Sequence, residues 1–136
     1  MHDMLISAAV GYRGVMMQPQ TLLDVRYGGH SGYTYMPQPV ATIMNGQAAD
    51  TLAALMRATV LEGTATSANV DAAAVGGKTG TAKYTDNGEI HNHSWFVGYS
   101  QDPEHPLAIA LSSKEPATVP ATLRRWLAKC WRGRST

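Results

Sequence analysis

Residues 75–84 read VGGKTGTAKY, a stretch in which glycines crowd Lys78 and hydroxyl-bearing residues follow it. Such a stretch could be a loop that cradles a phosphate or a strand that holds an acyl substrate. A phosphate loop, G-x-x-x-x-G-K-[ST], would need a glycine at position 72, where this chain has alanine. It would also have to open a helix, but β-branched, glycine and turn residues without helical periodicity follow Lys78. The stretch is therefore predicted to be a β-strand.

Alternation along this predicted strand places the hydroxyls of Thr79 and Thr81 on the same side of the pleat. Paired hydroxyls beside the Lys78 cation are suited to binding a carboxylate. Gly80 removes a side chain where a substrate backbone would approach, and the free amides of an edge strand can donate to a peptide laid alongside it. Residues 78–81 are therefore a candidate substrate-binding edge.

Two more strands are predicted after this one. Residues 91–100 and 106–113 have strand-like composition, as do residues 73–84 before them. The first connection, TDNG, contains the hairpin-type dipeptide Asn87-Gly88, and the second, QDPEH, is also short. Short connections predict an antiparallel three-strand meander.

Three helices and an extended region complete the prediction. Small apolar residues predict a helix over 3–13. A second helix should follow the N-cap Asn45, with an apolar stripe at Leu52, Leu55, Met56, Thr59 and Val60, and end at Gly63. A third, amphipathic helix is expected in 117–136, starting near Pro120, with Leu123, Trp126, Leu127, Cys130 and Trp131 on its apolar face. Residues 14–27 should contain one or two extended segments interrupted by Pro19, and 28–40 an exposed loop. The fold class is α+β, an antiparallel sheet covered by helices.

Composition limits the function. At 136 residues the chain has room for one domain, and its formal charge of +1 provides no global field for nucleic acid or an anionic membrane. Cys130 is the only cysteine, which excludes an intramolecular disulfide and a cysteine-based zinc cluster. No apolar run approaches the roughly 18 residues that a membrane-spanning helix needs.

Five segments, in order and spacing, resemble the C-terminal part of the transpeptidase domain of penicillin-binding proteins, especially class B. They are GVMMQPQ at 14–20, VLEGTA at 60–65, VGGKTGTAKY at 75–84, HSWFVGYS at 93–100 and PLAIAL at 106–111. The K-T-G motif alone is shared with serine β-lactamases and D,D-carboxypeptidases. The G-T-A of residues 63–65 and the HSWFVGY strand favour class B.

The resemblance implies a role for each residue of the K-T-G-T motif. Lys78 would place positive charge beneath the substrate carboxylate and assist proton relay, and Thr79 and Thr81 would bind that carboxylate. The Thr81 amide would be one of the two oxyanion-hole donors, and Gly80 would keep the cleft open. Lys78 and Thr81 are thus the candidate catalytic residues. The implied substrate is a peptidoglycan stem peptide ending in D-Ala-D-Ala, with β-lactams as its mimics and no metal or organic cofactor.

The chain departs from the family pattern in one respect. The family needs a serine nucleophile in S-x-x-K and a second motif, S-x-N. None of the eight serines has lysine three positions on, and the SAN at 67–69 lies too close to Lys78 to be the second motif. Residues 1–136 are therefore expected to be a single C-terminal segment of the domain, whose N-terminal part would carry both motifs and be a partner of this chain.

Alternatives to a transpeptidase segment remain open. The chain could be a non-catalytic module that binds peptide or β-lactam reversibly, or the remnant of a D,D-carboxypeptidase or serine β-lactamase. The enzymatic status of the chain alone is therefore uncertain. His91 and His93 would share a strand face as half of a metal site, but no third ligand has suitable spacing. The family also implies an extracytoplasmic domain tethered to the bacterial plasma membrane by a segment absent here.

Overall fold

The computed structural model describes residues 1–70, 74–102 and 106–114. The predicted helix in 117–136 lies outside these residues, as do residues 103–105 of the predicted connection QDPEH. Two α-helices, a 3-10 turn and seven strands follow one another in the described part. In chain order they are α1 (His2–Gly11), β1 (Val15–Met17), β2 (Asp24–Tyr27), β3 (His30–Thr34), β4 (Pro39–Thr42), α2 (Gly46–Leu61), the 3-10 turn (Thr66–Ala68), β5 (Val75–Asp86), β6 (Glu89–Ser100) and β7 (Ala108–Ser113).

The main sheet is the predicted antiparallel meander, with strand order β5-β6-β7. Its first hairpin is long and regular, since pairing runs without interruption from Val75 opposite Ser100 to Asp86 opposite Glu89. Asn87 and Gly88 connect the strands with φ angles of 50° and 85°, as a type I′ turn requires. The predicted α+β fold with a three-stranded C-terminal sheet is confirmed.

Helix α2 begins where the sequence predicts. The Asn45 side chain accepts a hydrogen bond from the amide of Ala48 at 2.8 Å, which satisfies one of the free N–H groups of the first turn. The predicted apolar stripe is buried only in part, since Leu52 and Leu55 are 36% and 60% exposed. Its members Met56 and Val60 are buried, together with Ala49.

Two apolar cores cover opposite faces of the sheet, because Phe96 and Tyr99 are three positions apart on β6. On the first face Val60 of α2 packs with Phe96 and Val75, both 0% exposed, and with Ala65 and Ala68. On the second face Val10 of α1 and Met56 of α2 pack against Tyr99. Burial raises the pKa of the Tyr99 phenol, while the side chain of Gln101 acts in the opposite direction.

The region between the helices contains more strand than predicted. Residues 28–40 are as exposed as expected, but they include β3 and the start of β4. Strands β2 and β3 form a hairpin around Gly28 and Gly29, whose φ angles are 57° and 82°. Gly-Gly is a hairpin turn signal that the loop interpretation passed over, so the prediction that His30 lies in a loop is wrong. Strand β4 pairs with β1, as a second small sheet.

Candidate functional site

The K-T-G-T motif lies on β5, at the edge of the main sheet. Thr79 and Thr81 are opposite Phe96 and Ser94, whereas Lys78 and Gly80 are opposite Val97 and Trp95. Alternation therefore places both threonine hydroxyls on one face, and the Lys78 side chain leaves from the other. The lysine nevertheless reaches the strand edge, since its ammonium donates to the carbonyl oxygen of Thr79 at 2.6 Å. The ammonium thus lies at the peptide group of Thr79, one of the two residues that carry the hydroxyls.

Side chains donate hydrogen bonds to the outward carbonyls of β5 from Val75 to Thr79. In an antiparallel edge strand, every second residue directs its peptide groups away from the partner strand. The Arg57 guanidinium donates to the carbonyl of Val75 at 2.9 Å, and the Thr59 hydroxyl donates to that of Gly77. Lys78 takes the next, that of Thr79. Thr81 follows in this series, and no side chain of the described residues is bonded to its peptide groups.

A threonine outside the motif, Thr64, contacts it. The Thr64 hydroxyl oxygen lies 2.7 Å from that of Thr79, within hydrogen-bonding distance. Thr64 belongs to the G-T-A segment between α2 and the 3-10 turn. Sequence reasoning used this segment to identify the family and missed its contact with the motif, since the two threonines are 15 positions apart and no local periodicity links them.

A cleft of about 370 Å³ opens beside the lysine. Its lining includes three of the four predicted site residues, whereas Thr81 lies outside it. Asp3 of α1 and Trp95 of β6 also line it, and neither was predicted; the lining is Asp3, Lys78, Thr79, Gly80, Trp95 and Val97. The position of Trp95 directly opposite Gly80 could have indicated the second of these. A separate groove of about 210 Å³ beside Tyr99 is lined mostly by apolar residues, from α1, β1 and the segment that leads into β7, and contains no residue of the motif.

Gly77 and Gly80 of β5 differ in whether a side chain at that position would clash with its neighbours. A Cβ at Gly77 would lie 2.4 Å from the Phe96 ring, so packing within the core requires glycine there. A Cβ at Gly80 would meet only the Cβ of Trp95, at 3.6 Å, which is an ordinary contact. Packing within the described residues therefore does not require glycine at position 80, and the space it leaves opens into the cleft.

The histidines of β6 form an aromatic cluster with Tyr84. The Tyr84 ring lies 5.3 Å from the ring of His91 and 4.2 Å from that of His93, between centroids. Glu89 lies 4.0 Å from the His91 imidazole. In the described part of the chain, no group of three histidine, cysteine, aspartate or glutamate side chains could hold a metal ion.

The S-x-N-like residues 67–69 lie at the 3-10 turn after α2. Ala68 is 0% exposed and belongs to the core around Phe96. Ala68 thus contributes to the core that supports the sheet. Neither α1 nor α2 is long and apolar enough to span a membrane.

The comparison with solved structures identifies the fold. A D,D-transpeptidase domain of a peptidoglycan glycosyltransferase from Eggerthella lenta superposes with a TM-score of 0.77 at 26% identity, over 96% of this chain and 31% of that one. The imipenem acyl-enzyme complex of penicillin-binding protein A from Mycobacterium tuberculosis gives 0.76 at 18% identity, over 93% and 29%. The transpeptidase domain of Burkholderia pseudomallei penicillin-binding protein 3 gives 0.67 at 19%, over 94% and 40%.

The chain thus spans less than half the length of these structures. Among curated proteins no sequence matches it. The family model of the penicillin binding protein transpeptidase domain matches residues 4–124, which is most of the chain. The resemblance drawn from the five sequence segments is therefore confirmed, and the chain belongs to the penicillin-binding protein transpeptidase domain family.

Proposed function

We propose that this chain contributes the substrate-binding edge of a peptidoglycan D,D-transpeptidase, with Lys78, Thr79, Gly80 and Thr81 as its site residues. The proposal rests on one observation, the pattern of hydrogen bonds along the outer edge of β5. Side chains occupy the outward carbonyls of Val75, Gly77 and Thr79. The edge becomes available to a ligand at Thr81, next to the cation and the hydroxyls.

The chemistry of this edge fits the C-terminus of a D-Ala-D-Ala stem peptide. Hydroxyls donate to a carboxylate, and a nearby ammonium strengthens the interaction. Thr79 and Thr81 are the donors in our proposal, and Lys78 provides the charge. The outward amide of Thr81 would donate to the oxyanion that develops on the scissile carbonyl, a contact worth about 3 to 4 kcal/mol in other acyl-transfer enzymes.

The proposed reaction needs a serine from outside these residues. Its hydroxyl would attack the carbonyl carbon of the penultimate D-alanine, forming a C–O bond as the peptide C–N bond breaks. The serine proton passes to a lysine amine, and a proton is delivered to the amino group of the departing D-alanine, with Lys78 assisting this relay. An amine of a neighbouring stem peptide then attacks the ester and returns the serine to its hydroxyl form. We call the chain together with a part that carries S-x-x-K and S-x-N the complete domain.

The same site would accept β-lactams, whose carboxylate lies next to a reactive carbonyl as in the peptide. The Mycobacterium tuberculosis relative forms an acyl-enzyme with imipenem. By analogy, the partners of the complete domain are stem peptides and β-lactams, and its place is the extracytoplasmic face of the bacterial plasma membrane.

Labelling with a fluorescent penicillin tests this division between chain and complete domain. The chain alone is expected to form no covalent adduct, because none of its eight serines is followed by lysine at the third position. The complete domain is expected to give a band that survives denaturing electrophoresis. A stable adduct on the chain alone, mapped by mass spectrometry to one of its serines, would contradict the proposal.

A non-catalytic binding module is the second candidate, favoured by the presence of the binding edge without a nucleophile. It predicts that the product of the whole gene binds penicillin reversibly and gives no covalent band. A remnant of a D,D-carboxypeptidase or β-lactamase would instead give a band that disappears as water hydrolyses the acyl-enzyme.

A further inference from the structure

We propose that Thr64 is a positioning residue for substrate recognition: its hydroxyl donates to the oxygen of Thr79 and so directs the Thr79 proton toward the substrate carboxylate. This inference rests on the function proposed above. It gives the G-T-A segment a role that family membership alone does not assign.

The backbone around Thr64 holds it in place. Ala65 is fully buried in the core with Phe96 and Val60, so it anchors the segment beneath the sheet. The amides of Gly63 and Ala65 both donate to the carbonyl oxygen of Thr59, at 3.2 and 3.0 Å. A Cβ at Gly63 would lie 2.8 Å from the Cα of Thr59, so a side chain there would push the segment away from α2. Thr64 is thus fixed between a close backbone contact and a buried anchor.

The same helix end also holds the strand that carries Thr79. The Thr59 hydroxyl is shared between the carbonyls of Met56 and Gly77. Gly77 and Thr79 are alternate residues of β5 and share a face. Thr59 therefore contacts both sides of the pair: its carbonyl accepts from the segment that carries Thr64, and its hydroxyl donates to the strand two residues before Thr79.

The direction of the Thr64–Thr79 hydrogen bond follows from what a carboxylate can do. Each hydroxyl has one proton to donate and can accept further bonds, whereas an ionised carboxylate only accepts. If Thr79 donated to Thr64, its lone pairs would face the carboxylate. Donation from Thr64 leaves the Thr79 proton free for the ligand. A bound carboxylate therefore selects the arrangement in which Thr64 is the donor.

The first test needs no ligand. Three-bond couplings measured by NMR on the whole chain report the χ1 rotamer of Thr79. Thr79 should hold one rotamer in the unmodified chain and in Thr64→Ser, which keeps the hydroxyl, and should populate several in Thr64→Val, which replaces it by a methyl group of similar size. Thr85→Val is the matched control, since Thr85 is an exposed threonine of the same strand face. A single Thr79 rotamer in Thr64→Val, at unchanged thermal unfolding temperature, would overturn the proposal.

The second test measures binding of N-acetyl-D-alanyl-D-alanine to the same variants, with its C-terminal amide as the uncharged comparison. Without Thr64 the Thr79 hydroxyl can turn away from the carboxylate, so part of the strength of its hydrogen bond to the anion is lost and binding should weaken by about five- to tenfold in Thr64→Val. Thr64→Ser and Thr85→Val should stay within about twofold of the unmodified chain. In the Thr79→Val background, Thr64→Val should have no further effect, because it acts only through Thr79.

The possible outcomes distinguish a failure of this inference from a failure of the proposed function. Losses from Thr64→Val and Thr79→Val that simply add, or unchanged binding in Thr64→Val, would overturn the role of Thr64 while the carboxylate site stands. Equal affinity of the unmodified chain for the acid and its amide would overturn the proposed function itself, since the edge would then not recognise a carboxylate.

Discussion

Replacing Lys78 by methionine is expected to slow acylation of the complete domain by penicillin about 10²- to 10³-fold. Methionine keeps much of the apolar length of lysine but removes its charge. In the structure the ammonium is held against the Thr79 carbonyl at 2.6 Å and lines the cleft. The charge is therefore in place before substrate arrives, so its loss should raise the barrier at the chemical step and weaken binding together. Stopped-flow acylation with a chromogenic β-lactam measures the second-order rate constant.

His91→Gln is the matched control for this experiment. His91 lies further along the hairpin, opposite Tyr84, where it contacts the tyrosine ring and lies near Glu89. It does not line the cleft, so its replacement should change the rate constant by less than about threefold. Comparable losses in the two variants, at matched circular dichroism spectra, would mean that the site lies elsewhere on the sheet.

Phe96→Ala is expected to lower the free energy of unfolding by about 3–5 kcal/mol. Phe96 is completely buried and central to the larger core, and its ring fills the space above Gly77. Its neighbours Ala65 and Ala68 are too small to fill the cavity that alanine would leave. A loss of this size is a large fraction of the roughly 5–15 kcal/mol by which ordinary domains are stable.

Urea denaturation followed by circular dichroism measures this effect, with Ile90→Ala as the control. Ile90 shares the strand face of Phe96 but is 72% exposed, and its replacement should cost less than about 0.5 kcal/mol. A loss below about 1 kcal/mol for Phe96→Ala would show that the core around α2 and the sheet does not hold the motif strand in place.

The parts of the fold that could be predicted from sequence depend on local chemistry. The Asn87-Gly88 turn joins two strands of strand-like composition, so both the hairpin and its register follow from the turn. Asn45 ends a stretch without helical periodicity and its side chain caps the first turn. Each of these signals lies within a few residues of the structure that it determines.

The predictions that failed, or were not made, depend on contacts distant in sequence. Which part of the apolar stripe of α2 is buried depends on what packs against it, so periodicity alone did not show that Leu52 and Leu55 are 36% and 60% exposed. Asp3 reaches the cleft from α1, although it lies 75 positions before Lys78 in the sequence. No pattern in either segment predicts that the two would lie at the same cleft. The pairing of Thr64 with Thr79 has the same origin.

A crystal structure of the complete domain acylated by benzylpenicillin would test the central claim most directly. We expect the carboxylate of the bound drug within about 3 Å of the Thr79 and Thr81 hydroxyl oxygens, and the ester carbonyl oxygen within the same distance of the Thr81 amide nitrogen. A drug whose carboxylate is bound away from β5, with Thr79 and Thr81 facing only solvent, would contradict the account.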